Sequence, residues 1–364
     1  MKIAFHTLGC KVNQYETEGL KENFKKAGHE VVTDTEFADA YVINTCTVTN
    51  LADRKSRQFI RRARAINPDA AIAVTGCYVQ VAPEEVAAIE GVDIITGTNE
   101  KSAMVSLVEE YIKDGSKIRQ VKSYEELDTY EEIGTITSME SRTRAYIKIQ
   151  EGCDRFCSYC IIPFARGSVR SRRPSEILKE AESLVRAGFK ELILTGINAA
   201  LYGTEQGFVC DIDDTDIENM HGIEIIIHLL DKMPGDFRIR LSSLEPTAVN
   251  SDYVKRLLEY DRLCNHLHLS IQSGSSSIIS AMNRNYTRED YLDIVKVLRD
   301  KDLHYGITTD IIVGFPGETD EDFADSMNMV READFLKVHA FQYSKRKGTA
   351  AALMDNQIEP QIKK

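Results

Sequence analysis

The chain has 364 residues, of which 43% are hydrophobic and 28% charged, and its formal net charge is -12. These proportions exclude a disordered, collagenous or repeat polymer, and no apolar run approaches the roughly 20 residues of a membrane span. The opening "MKIAFHTLGCKVNQYETE" turns polar too early for a secretory signal, so the length predicts about two domains of a cytoplasmic protein with no membrane contact.

In chain order, "KIAFHTLG", a helix over 13–27, "EVV", "AYVINTC", a helix over 53–66, "AIAVTGC", a helix over 83–89, "VDIITG" and a helix over 100–112 alternate strand-length apolar runs with helical patterns. That rhythm predicts an N-terminal α/β domain, residues 1–114, built on a parallel sheet. Residues 115–143 are polar and acidic with little periodicity and are expected to be a linker. Strand candidates then resume with "AYIKIQ", "ELILTG", "FRIRLSS", "HLHLSIQ", "GITTDIIVGF" and "LKVHAFQY", separated by helical stretches. Six such units predict a partial (βα)6 TIM-like barrel over 144–345, with its chemistry at the carboxyl ends of the strands and a tail over 346–364.

Eight cysteines without a signal peptide argue for thiolate chemistry in a reducing compartment. Cys10, Cys46 and Cys77 each follow a predicted strand and precede a helix, so a parallel sheet can bring all three to one crevice. Cys210 and Cys264 stand alone and read as small buried residues. Cys153, Cys157 and Cys160 crowd into "EGCDRFCSYCIIPFARG" after the first barrel strand. A structural zinc site calls for four ligands, usually in CxxC pairs, so this count and spacing disfavour zinc. Three thiolates suit a four-iron cluster whose remaining iron is open to a small ligand.

At this point the sequence resembles the radical S-adenosylmethionine (SAM) superfamily, whose CxxxCxΦC signature is met by Cys153, Cys157, the aromatic Tyr159 and Cys160. The resemblance implies that SAM chelates the open iron and is cleaved to a deoxyadenosyl radical. It also implies SAM contacts from the strand ends, for which Tyr159, Gly196, Asn198, Ser243, Gln272 and Gly314 are the candidates. Gly196, Gly314 and Gly317 could equally serve turns, with Thr319 capping the next helix. Three post-strand cysteines ahead of such a barrel look like the methylthiotransferases, in which Cys10, Cys46 and Cys77 would hold a second 4Fe-4S cluster that carries the sulfur to be delivered. "TLGCKVNQYETE", "NTCTVTNLADRKSRQFIRRA" and "TGCYVQVAPEE" look most like the tRNA branch that modifies N6-threonylcarbamoyladenosine at adenosine-37, beside the anticodon. The alternatives are N6-isopentenyladenosine in tRNA, an aspartate of a ribosomal protein or, in another class, a non-enzymatic RNA-binding module with structural metal sites.

A net charge of -12 repels phosphate, so tRNA would need local basic patches. "RKSRQFIRRAR" carries six basic and no acidic residues, and "ARGSVRSRR" follows the cysteine motif; Arg57, Arg61, Arg166, Arg170 and Arg172 are the expected RNA contacts. The acidic stretch 210–218 lacks the glycine and distal glutamate of a calcium loop and reads as solvated. The resemblance further implies an electron donor of flavodoxin or ferredoxin type and a monomer. Ser270 stands where the family usually has proline. The C-terminal TRAM β-barrel that helps family members hold RNA is expected to be absent from this sequence.

Overall fold

Apolar runs buried on both sides and helices with one apolar stripe account for the first part of the chain. In the computed structural model, which describes residues 1–134, 136 and 143–364, strands β1 (Lys2–Thr7), β2 (Glu30–Val32), β3 (Ala40–Thr45), β4 (Ala71–Gly76), β5 (Ile94–Thr96) and β6 (Ile118–Gln120) form one sheet in the order β2-β1-β3-β4-β5-β6. All of its pairs are parallel. β3 and β4 are buried over their whole length, as central strands covered on both faces must be. Helices α1 (Lys11–Lys26), α2 (Asn50–Ile66), α3 (Cys77–Val81), α4 (Pro83–Ala87) and α5 (Met104–Asp114) supply the covering. Leu20 and Phe24 of α1 pack with Leu107 and Val108 of α5 against Ile3, Val42 and Ala73. Phe59 and Ile60 of α2 pack with Tyr78 and Val86 against Ile43, Ile72 and Val74. Neighbouring strand residues thus feed opposite cores, each large side chain contributing about 1.5–3 kcal/mol.

The strand order reverses between β1 and β3, the kind of point where doubly wound sheets bind ligands outside their carboxyl edge. Register sets that edge, with Thr7 opposite Asn44 and Thr45 opposite Gly76. The stretch 115–143 is more than a connection, since it supplies β6. This three-residue edge strand has no apolar run to announce it, and Gly115, left-handed at φ 74°, ends α5 just before it. Residues 135 and 137–142 of that stretch lie outside the described residues.

The barrel strands are β7 (Arg144–Lys148), β10 (Glu191–Thr195), β11 (Arg238–Leu241), β12 (Ser243–Leu244), β13 (His266–Leu269), β14 (Gly306–Val313) and β15 (Lys337–Gln342), while β8 (Gln150–Glu151) and β9 (Arg170–Ser171) make a separate two-stranded ladder. One parallel sheet runs β11-β10-β7 and the other β12-β13-β14-β15. β11 and β12 are consecutive pieces broken at Ser242, and an Ile239 to Leu263 bridge continues the curl, which makes this the partial six-position barrel. Its helices are α7 (Pro174–Arg186), α8 (Glu224–Asp231), α9 (Ser251–Leu257), α10 (Ser276–Ala281), α11 (Arg288–Lys301) and α12 (Asp320–Ala333), with the short α6 (Ile162–Arg166) following the cysteine motif. Thr319 and Asp322 form a reciprocal capping box at the start of α12.

Contacts divide the chain into two compact units. The first comprises Met1–Glu140, Glu151–Asp154 and Ile161–Arg170, and the second comprises Ser141–Gln150, Arg155–Cys160 and Ser171–Lys364. No helix among the described residues is long and apolar enough to cross a membrane.

Candidate metal centre

In the first unit Cys10 N-caps α1, Cys46 follows β3 directly and Cys77 opens α3 after β4. The three thiols are mutually close enough to act on one another's charge. Burial pushes the Cys46 thiol up to about 12, and the neighbouring Cys77 and Cys10 add to the shift. Cys10, Cys46 and Cys77 are not in disulfides. A bare Cys46 thiolate is penalised by burial and by its two cysteine neighbours, so the crowded trio calls for a positive partner. The donor set therefore fits a cationic iron-sulfur core attached through three sulfurs.

Glycines shape both cysteine sites. Gly9, Gly76 and Gly152 have φ of 105°, 100° and 75°, and each directly precedes a cysteine. A Cβ on Gly9 would lie 2.7 Å from Cys46 Cβ, on Gly76 2.6 Å from Asn44 Oδ1, and on Gly152 1.8 Å from the Ser168 carbonyl oxygen. A left-handed residue with no room for a side chain has to be glycine. The dipeptide Gly-Cys occurs at these three places, a sequence signal that the periodicity argument passes over.

Arg166 corrects an expectation. Read from the sequence as an RNA contact, it is fully buried. Its Nε donates to Cys77 Sγ at 3.1 Å, Nη1 to Glu16 Oε1 at 2.6 Å and Glu151 Oε1 at 2.9 Å, and Nη2 to Asn13 Oδ1 at 2.6 Å. Lys101, also without solvent access, pairs with Glu16 at 3.3 Å and donates to the Thr98 carbonyl at 2.6 Å. Two cations and two carboxylates thus neutralise each other beside Cys77. Sequence reading missed Asn13, Glu16, Lys101 and Glu151.

Arg170 is likewise buried, donating to the Leu127 carbonyl at 2.6 Å. Arg172 is buried in an ion pair with Glu180. Neither turns its guanidinium to solvent. Arg57 is half-buried and held by the Tyr78 hydroxyl at 2.6 Å and Glu85 at 3.1 Å. Arg61 is exposed on α2, as are Arg54, Lys55 and Arg62.

In the first unit the Cys153 N–H donates to the Gly167 carbonyl at 3.0 Å. In the second unit Phe156 takes a left-handed φ of 45°, Cys160 N–H donates to the Cys157 carbonyl at 2.8 Å, and Ser158 N–H donates to the Met282 carbonyl at 2.9 Å. Arg284, nearly buried, reaches Cys157 Sγ at 3.6 Å and the Tyr159 hydroxyl at 3.1 Å, and lies 3.4 Å from Glu245. Arg284 and Glu245 were not foreseen, since neither stands in a recognisable motif.

The remaining strand-end candidates differ in setting. A Cβ on Gly196 would meet Gln150 Oε1 at 2.8 Å, and the same oxygen accepts the Asn198 N–H at 2.9 Å. Asn198 Oδ1 is buried with no hydrogen-bond partner among the described residues, so it is available to a donor. Ser243 is exposed. Gln272 has φ 69° and pairs through its backbone with Asp310 and Ile312 on β14. Gly314, at φ 71°, packs against Lys363 of the tail. Ser270 donates to Asp310 at 3.2 Å, and Asp310 also holds His268 Nε2 at 3.1 Å. Cys210 and Cys264 are half-buried rather than the core residues expected. In the acidic stretch, Asp214 and Asp216 share the Lys232 ammonium at 2.9 Å each, which offsets part of their charge.

Residues 147–330 match the model of the Radical SAM superfamily, and residues 2–97 match that of Uncharacterized protein family UPF0004. The threonylcarbamoyladenosine tRNA methylthiotransferase MtaB of Bacillus subtilis (strain 168) is 44% identical over 361 residues, covering 99% of this chain and 77% of that protein. The tRNA-2-methylthio-N(6)-dimethylallyladenosine synthase of Clostridium tetani (strain Massachusetts / E88) is 36% identical, covering 98% of this chain and 77% of that protein. Among solved structures, the radical S-adenosylmethionine methyltransferase TsrM of Kitasatospora setae superposes with a TM-score of 0.69 at 14% identity, over 97% of this chain and 74% of that one, a likeness of fold. Matches of this extent on both sides of the cysteine motif leave one assignment: the chain belongs to the radical SAM methylthiotransferase family, enzymes that use SAM and a 4Fe-4S cluster.

Proposed function

We propose that this chain methylthiolates N6-threonylcarbamoyladenosine of tRNA, at adenosine-37 beside the anticodon. The observation that carries the substrate is the 44% identity to the B. subtilis threonylcarbamoyladenosine enzyme, against 36% to the dimethylallyladenosine enzyme, each over nearly the whole chain.

In this reading Cys153, Cys157 and Cys160 hold the SAM cluster, and Cys10, Cys46 and Cys77 hold a second four-iron cluster. When bound, the first supplies the electron for reductive cleavage of SAM and the second presents the sulfur. The protein's own part is placement and charge. Asn198 Oδ1, buried and unpartnered, suits the ammonium of SAM. Gly196 leaves room for backbone approach, and Gln272, with Ser243 and Gly314, belongs to the same strand-end set. Tyr159 is committed to Arg284, and it orients that guanidinium beside Cys157. For tRNA, Arg61 with its exposed neighbours Arg54, Lys55 and Arg62 offers phosphate contacts, a role the buried Arg166, Arg170 and Arg172 leave open. A flavodoxin- or ferredoxin-type donor serves a monomeric enzyme in the cytoplasm, where its tRNA is.

The test is anaerobic reconstitution with SAM, a reductant and tRNA carrying either modified adenosine, followed by mass spectrometry. Methylthio product on the threonylcarbamoyl substrate is expected. Product on the isopentenyl substrate alone would replace the proposal by the other branch.

A further inference from the structure

We infer that Arg166 is a positioning residue for the Cys77 sulfur, and that its Nε–H sets the reduction potential of an iron-sulfur cluster held by Cys10, Cys46 and Cys77. The inference rests on the two-cluster reading above.

The guanidinium leaves little freedom for another role. It is fully buried, and its planar fork is pinned at the far side: Nη1 binds both Glu16 and Glu151, and Nη2 binds Asn13 Oδ1 at 2.6 Å and Glu16 Oε2 at 3.3 Å. With both terminal nitrogens fixed, the rigid plane aims the one remaining donor, Nε–H, at Cys77 Sγ from 3.1 Å. Asn13 is anchored in turn by donating to the Leu8 and Thr45 carbonyls at 2.7 and 2.9 Å, in the turns beside Cys10 and Cys46. The aim is therefore referenced to the same backbone that carries the other two thiols.

Charge bookkeeping separates two possible effects. Arg166 and Lys101 are matched by Glu16 and Glu151, all four with side chains 0–2% exposed. These four charges sum to zero, and Arg166 adds a directed N–H dipole at the sulfur. A donor to a ligand sulfur favours the state with more negative charge on that sulfur, which is the reduced cluster, and so raises the potential. A salt-bridge anchor alone would need no nitrogen directed at Cys77.

The experiment uses the full chain carrying Cys153→Ala, Cys157→Ala and Cys160→Ala, reconstituted anaerobically, so that only the first trio is read. About four irons with equal sulfide are expected; a chain that takes up none overturns the two-cluster reading and this inference with it. Against that parent, Arg166→Lys keeps a cation between Glu16 and Glu151 but gives up the fork and its Nε–H. A redox titration followed by electron paramagnetic resonance is expected to move the midpoint to more negative values. At the parent's midpoint the reduced-to-oxidised ratio should fall about tenfold, which is about 59 mV for a one-electron couple. Arg166→Gln combined with Glu151→Gln, which preserves net charge, should move it the same way. A midpoint unchanged in either iron-loaded variant overturns the inference. So does loss of iron from both with the parent's circular dichroism retained, because Arg166 would then be a structural clamp only.

Discussion

Replacing Gly152 by alanine should empty the SAM-cluster motif while sparing the rest of the chain. At φ 75° an alanine pays about 1–2 kcal/mol for the left-handed backbone alone. Its Cβ would also sit 1.8 Å from the Ser168 carbonyl oxygen, where contacts under 3.0 Å are essentially never seen, so two backbone segments must part by more than about 1 Å. The neighbouring Cys153 N–H would lose its 3.0 Å bond to Gly167, worth about 0.5–1.5 kcal/mol. Together these come to about 1.5–3.5 kcal/mol before the Ser168 clash is relieved, a penalty of about ten- to several-hundredfold on the use of Cys153 as a ligand. Iron and sulfide counts after anaerobic reconstitution should fall by about half in Gly152→Ala, and SAM-dependent deoxyadenosine release should disappear. Gly188→Ala is the control, because Gly188 has φ 95° but nothing within 4 Å of its would-be Cβ. It should lose about 1 kcal/mol of stability and no iron. If Gly152→Ala carries full iron and cleaves SAM like the parent, the close approach to Ser168 does not govern the motif.

Other perturbations separate the remaining elements. Cys157→Ala should abolish deoxyadenosine formation, whereas Cys46→Ala should spare it and stop methylthiolation, as read by mass spectrometry of nucleoside products; equal loss of both would argue against separate roles for the two trios. Arg172→Met removes the ion pair that Arg172 makes with the buried Glu180 and should cost about 3–5 kcal/mol, while the double change with Glu180→Leu should recover most of it in chemical denaturation. Asp322 opposes burial with hydrogen bonds from Ser275, Ser277 and Thr319 that hold its carboxyl down at about 2. Because the folded value lies below the unfolded one of about 3.9, this stabilisation is complete above about pH 4 and is lost as pH falls toward 2. Partial exposure discounts it to about 1 kcal/mol, so the protection factors of α12 amides, with the intrinsic pH dependence of exchange divided out, should fall about fivefold over that window in the parent and stay flat in Asp322→Ala.

The sequence exposed the fold wherever periodicity was strong. β3 and β4 are continuous apolar runs because helices cover both faces, β10 is likewise buried throughout, and β13 was readable instead from its alternation of half-buried His266 and His268 with buried Leu267 and Leu269. β6 escaped because a three-residue edge strand needs only backbone pairing, and Ile118, Arg119 and Gln120 look like any polar stretch. The cysteines were legible from their spacing and their post-strand placement. The arginines were not, since charge runs say nothing of burial. Arg166 meets Glu16 across 150 positions and Cys77 across 89, distances at which one chain without aligned relatives gives no warning. The exposed α2 cations and the buried Arg166, Arg170 and Arg172 are indistinguishable by composition, and within "ARGSVRSRR" itself Arg173 is exposed beside three buried arginines.

The two compact units are not successive lengths of chain: the path changes unit after positions 140, 150, 154, 160 and 170. No single cut can therefore liberate either one whole, and a fragment ending near residue 140 would forfeit the piece bearing Glu151 and Arg166 and take from the buried Glu16 its arginine, though not its Lys101. Genetic shuffling that swaps the front half of this polypeptide for another's would have to carry the 151–170 region along, which ties the inheritance of the two cysteine trios together.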